Sequence, residues 1–221
     1  MTTADWQMLG LTFGLAALAI VLALPLATWL AWLLARKSWP GKTLVETVAM
    51  MPLVMPPVAT GLILLKLFGK HGAVGGWLHE NFGIEIIFTW KAVVIALAVM
   101  VFPLLVRSLR TAFEEVPEQM EAAGKSLGGS DWRIFWKISL PLARRGMVAG
   151  IVLSFARALG EFGATVMVAG FIPGLTETLS LSIYRSVQNG DDPRAMLLVG
   201  VSAVIAFGAV FVSTLLMPKR R

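Results

Sequence analysis

The sequence predicts an all-α, polytopic membrane protein with about five transmembrane helices and a helical hairpin on the cytoplasmic side. Three observations predict it: 57% of residues are hydrophobic, only 14% are charged, and the apolar residues gather into long uncharged runs. A soluble domain carries charge on roughly 25% of its residues. This chain of 221 residues has too little polar surface to cover a water-soluble globule. It reads as one domain, 1–221, whose natural solvent is lipid.

A hydrocarbon core about 30 Å thick needs about 20 apolar residues at 1.5 Å each. Five runs of that order occur. The first, 8–35, is uncharged, contains Pro25 as an expected kink, and is too long and too lacking in preceding bases for a cleaved signal. The second, 48–65, contains Pro52, Pro56 and Pro57. Such a helix must bend or unwind, with its freed carbonyls met by neighbouring helices or water. The third, 84–106, has Lys91 near one end, within reach of the headgroups, and closes at Arg107 and Arg110. The fourth, 146–172, carries Arg157 and Glu161 inside it, and the fifth, 195–217, is followed by Pro218, Lys219, Arg220 and Arg221.

The bases set the expected orientation, because cytoplasmic loops are enriched in Lys and Arg. Arg36, Lys37 and Lys42 follow the first run; Arg107, Arg110, Lys125, Arg133, Lys137, Arg144 and Arg145 follow the third; Lys219 to Arg221 follow the fifth. These segments are expected inside, with the N-terminus, 69–83 and 173–194 outside and the C-terminus inside. The net charge of +6 thus reads as topology, not nucleic-acid recognition. Zero cysteines exclude disulfides, thiolate metal sites and cysteine nucleophiles.

The inside loop at about 111–145 is long enough to expect a function of its own. Pro117 suits a first helical residue, Met120, Ala123 and Leu127 follow at helical spacing, and Gly128-Gly129 makes a stop. Ser130 or Asp131 can cap a second short helix, with Trp132, Phe135 and Trp136 on one face, ending before Pro141. This hairpin suits either a groove on a partner or the lipid headgroups.

No catalytic set emerges. His71 and His79 lie near Glu80 and Glu85 without a third ligand at helical or turn spacing, so they read as a wet loop. No Ser, His and Asp motif and no glycine-rich phosphate loop occurs, so the chain is not expected to hydrolyse ATP.

Glu121-Ala122-Ala123, then Gly128, then nine residues to Ile138, followed by Leu140-Pro141, resembles the Glu-Ala-Ala loop of bacterial ABC importer permeases. Glu121 stands one place further from Gly128 than in the family pattern, and Gly124 replaces an alanine. The stretch Pro52-Leu53-Val54-Met55-Pro56-Pro57-Val58 with Gly61, and the stretch Phe155 to Ala164 with Arg157 and Glu161, look like the second and fourth helices of molybdate permeases. Tungstate and sulfate permeases share parts of these patterns.

The resemblance implies the non-catalytic permease subunit of an importer for a tetrahedral oxyanion, molybdate first, in the bacterial cytoplasmic (inner) membrane. It implies a homodimer with the pathway between subunits, two cytoplasmic ABC ATPase subunits that bind the ATP, and an extracytoplasmic oxyanion-binding protein. The chain itself needs no cofactor. Arg157 and Glu161, four apart, are expected on one helix face, either as a pathway charge or as a buried ion pair that fixes packing. The small residues around them favour close helix contact. The proline segment, with Pro52, Pro56 and Pro57, reads equally as pathway lining or as a kink. A self-sufficient channel or secondary transporter would need selectivity residues that the membrane runs lack elsewhere. A membrane enzyme or assembly factor with the hairpin as its working part is the other alternative.

Overall fold

A computed structural model describes residues 1–216, and every regular element among them is helical. The end of the fifth run at 217 and the bases Lys219 to Arg221 lie outside the described residues.

The long apolar runs become α1 (Thr3–Arg36), α5 (Trp90–Glu114), α8 (Leu140–Leu159) and α11 (Asp192–Leu216), with a bent pair, α2 (Lys42–Val54) and α3 (Pro57–Phe68). Among the described residues four helices are long and apolar enough to cross a membrane, or five counting the bent pair as one span. Between them lie α4 (Ala73–Phe82), α6 (Glu118–Ser126), α7 (Asp131–Ile134), a π-turn (Phe135–Ser139), α9 (Gly163–Ala169) and α10 (Leu179–Gln188).

Helix α5 is the central post, packed against α1, α2, α8 and α9. Val93, Val101, Leu105, Val106, Leu109 and Phe113 are fully buried along it. Lipid tails are as apolar as leucine, so close van der Waals packing has to hold such helices together. Helix α1 supplies it with a buried ladder, Ala16, Ala19, Ala23, Ala27 and Ala31, at the three- and four-residue spacing of one helix face. The helix runs through Pro25 without a break.

Two of the expected spans are interrupted. Between Lys42–Val54 and Pro57–Phe82 the axis turns by 110°, the break that the prolines predict. The fourth run is also broken, contrary to a continuous span over 146–172: α8 stops at Leu159 and a new short helix starts at Gly163. The carbonyl of Leu159 is met by the Ser180 hydroxyl of α10 at 3.0 Å, which satisfies part of the exposed helix end.

The third run is shifted. Helix α5 starts only at Trp90, capped by Thr89, and continues through Arg107 and Arg110 to Glu114. Residues 84–89 are not helical; Phe88 takes φ 61° and its N–H donates to the Val168 carbonyl at 2.9 Å, fastening this segment to α9. The loops expected at 69–83 and 173–194 contain α4 and α10. The bundle thus has a hairpin side, where α1 ends and α5 meets α6, and a far side, where α3, α4, α9 and α10 gather.

Candidate functional site

The hairpin is built locally. Pro117 caps α6 instead of opening it, and Glu118 is the first helical residue. At the other end Gly128, at φ 80°, and Gly129, whose N–H reaches back to Gly124 O at 3.0 Å, turn the chain as the glycine pair predicts. Ser130 caps α7 by accepting from the Arg133 N–H at 3.4 Å.

The second arm does not end before Pro141. Residues 131–159 form one helix, because the turn ahead of the proline widens: the Leu140 N–H bonds to Phe135 O, five residues back. An α-turn would press the proline ring onto the carbonyl four residues earlier, and the π-turn relieves that clash. Leu140 and Pro141 therefore open α8, and the hairpin and the membrane helix are one continuous rod.

Trp132, Phe135 and Trp136 do not share one environment. Phe135 is buried between Trp32 and Phe113, with ring centroids at 5.4 and 6.0 Å. Trp132 and Trp136 face outward, as do Met120 and Leu127, the last 89% exposed. Ala122, Ala123 and Gly128 are exposed on the same hairpin, while Ile138 is half-buried. A Cβ on Gly124 would lie 2.7 Å from Ile138 Cδ1, so the glycine that departs from the Glu-Ala-Ala pattern lets the two arms close.

Glu121 turns inward. Its Oε1 accepts from Arg36 Nε at 3.0 Å and from the Ser139 hydroxyl at 2.7 Å, while Arg36 Nη2 donates to Val116 O at 2.6 Å. Lys37 pairs with Asp131 nearby. The end of α1 is thereby clamped to both arms. No motif joins Arg36 or Ser139 to Glu121: Arg36 reads in the sequence only as one of the bases after the first run, and only the fold brings the two residues to the carboxylate.

At the far side the two breaks meet. Gly61 of α3 packs on α9, where a Cβ would lie 2.9 Å from the Ala164 backbone, and a Cβ on Gly163 would lie 2.7 Å from Pro57 Cβ. Glu161 lies past the end of α8, not within one helix as expected, yet its Oε2 stands 3.0 Å from Arg157 Nη1. Its Oε1 accepts the Ala164 N–H at 3.0 Å and so caps α9. The N–H groups of Ala59 and Thr60 are both taken by Pro56 O, at 2.9 and 3.2 Å, so neither of these two is left free at the bend. Pro56 is exposed, and Pro52 lines an apolar groove with Leu22, Leu26 and Phe102.

Residues 23–219 match the family described as binding-protein-dependent transport system inner membrane component. The chain belongs to this family. Among its relatives, the molybdenum transport system permease protein ModB of Escherichia coli (strain K12) is 41% identical over 214 residues, covering 96% of this chain and 93% of that protein. The sulfate transport system permease protein CysW of Synechocystis is 36% identical over 202 residues, covering 91% and 72%. A crystal structure of a bacterial ABC transporter involved in import of the acidic polysaccharide alginate superposes with a TM-score of 0.68 at 15% identity, covering 99% of this chain and 82% of that one. This likeness carries the fold.

Elsewhere in the chain, His79 Nδ1 lies 3.9 Å from Glu85, whose carboxyl is held below the usual carboxylate range by its hydrogen bond to Lys70. Among the described residues no three His, Cys, Asp or Glu side chains stand where they could hold a metal.

Proposed function

We propose that this chain is the membrane-spanning subunit of an ABC importer for a tetrahedral oxyanion, molybdate in the first place. The observation that carries the reading is the 41% identity to a molybdenum permease across nearly the whole chain, broken helices and hairpin included. The sulfate relative is less similar over a smaller share of its own length, which favours molybdate over sulfate.

In this reading two copies form the pathway between them in the bacterial inner membrane, and an extracytoplasmic binding protein delivers the ion. Two cytoplasmic ATPase subunits bind the ATP and grip the hairpin through Met120, Leu127, Trp132 and Trp136, large apolar side chains left uncovered. The hairpin side carries Arg36, Lys37, Lys42, Lys125, Arg133, Lys137, Arg144 and Arg145, which supports a cytoplasmic placement. Movement at the hairpin passes along the 131–159 rod to its end at Leu159, beside the α3–α9 crossing. Close-packed crossings change in discrete steps, so the crossing acts as a gate with two settings.

The test is molybdate uptake into proteoliposomes that contain this chain, its ATPase and its binding protein. ATP-dependent uptake is expected, and uptake by the chain alone would identify a self-sufficient transporter instead. Deleting 128–141 is expected to abolish co-purification of the ATPase; retention would remove the hairpin as the docking site.

A further inference from the structure

A groove of about 550 Å³ runs between α5 and α8, lined among others by Arg107, Ser108, Thr111, Glu115, Gly146 and Gly150. The two helices approach closely there: a Cβ on Gly150 would lie 2.5 Å from Ser108 Cβ, and one on Gly146 would lie 2.9 Å from Ala112 Cβ. These contacts set an antiparallel register with Arg107 at the level of Gly150. Arg107 and Thr111 also line a recess on the other flank of α5, with Glu46 and Met50 of α2. Arg107 thus stands on the ridge of α5 between α2 and α8. Those helices lead into α3 and α9, so the ridge lies beneath the crossing.

The charges facing this ridge are unequally engaged. Arg110 is held by Glu46 and by Glu114, the latter at 2.7 Å. Glu115, two turns further toward the hairpin on α5, turns its carboxylate toward Gly146, where Oε2 would lie 3.9 Å from an added Cβ, so the hairpin end of the groove holds an anion and the Arg107 end holds the cation. Among the described residues the Arg107 guanidinium has neither a carboxylate partner nor a hydrogen-bond acceptor, and the Ser108 hydroxyl has no partner beside it. Arg157 lies on the same face of α8 as Gly150, two turns nearer the crossing, but is neutralised by Glu161.

We propose that Arg107 and Ser108 form a transient binding step for the oxyanion on the hairpin side of the crossing. A guanidinium offers a planar fork of N–H donors that matches a tetrahedral oxyanion, and the hydroxyl adds a neutral donor. A single cation against a dianion attracts it into the groove and still lets it leave, as conduction requires. The groove is open to solvent and far larger than one oxyanion, which therefore keeps part of its water.

This step rests on the importer reading, and the experiment separates the two. Uptake of molybdate is measured for the complete complex in vesicles of phosphatidylcholine alone and of phosphatidylcholine with phosphatidylglycerol. Failure of the wild-type complex to move molybdate sinks the importer reading itself. Given wild-type uptake, Arg107→Gln is expected to slow it about ten-fold, Arg107→Lys to restore only part of it, since the ammonium keeps the charge and loses the fork, and Ser108→Ala to slow it a few-fold, about alike in both lipids. Wild-type uptake by Arg107→Gln overturns the proposal. A defect confined to vesicles with phosphatidylglycerol overturns it too, since the groove would then hold a lipid phosphate. Should Arg107→Gln assemble poorly, Ser108→Ala decides: a normal complex with unchanged uptake overturns the proposal.

Discussion

Glu161 serves both sides of the break after α8, pairing with Arg157 behind it and capping α9 ahead of it. Its side chain is only 2% exposed while that of Arg157 is 38% exposed, so the carboxylate is the member that burial penalises. Arg157→Gln leaves that anion buried without its cation. It is expected to cost about 2 kcal/mol after allowing for solvent at the guanidinium, seen as a lower melting temperature and poorer complex yield. Adding Glu161→Gln should recover much of the loss, because the amide oxygen can still cap α9 and no orphaned charge remains. Normal yield of Arg157→Gln with only ion transport lost would instead make the arginine a pathway group.

The elements reveal which features could be read without a fold. Long apolar runs marked α1, α5, α8 and α11, and Pro56-Pro57 marked the bend between α2 and α3. The break at Gly160 was not legible, since 146–172 is continuously apolar apart from its ion pair and the interruption depends on α3 packing against Gly163. Pro141 misled for the opposite reason: a local stop signal is overridden by the π-turn and by Phe135 seated between Trp32 and Phe113. The motif located the hairpin but not the inward turn of Glu121, because its partner Arg36 is 85 residues away. Gly124 offers a graded check. The atom an added methyl would meet is the free end of Ile138, so Gly124→Ala is expected to stay within about 1 kcal/mol of the parent. Gly124→Val should open the arms and reduce ATPase co-purification several-fold; equal retention by both variants would show that the contact is dispensable.

For the molecule as a whole, the absence of cysteine makes orientation directly measurable. A single cysteine placed at Lys125 is expected to react with an impermeant maleimide only from the cytoplasmic face, and one at His79 only from the opposite face. The reverse pattern would invert the topology. Helix α1, at 34 residues, is about 51 Å long, whereas the hydrocarbon slab it crosses is about 30 Å thick. Its end is not free to settle wherever lipid dictates, because Arg36 and Lys37 are fastened to Glu121 and Asp131. Acyl-chain length consequently becomes a mechanical variable: a thicker slab is met by a change in the tilt of the whole bundle, and the height at which the hairpin stands above the lipid follows with it.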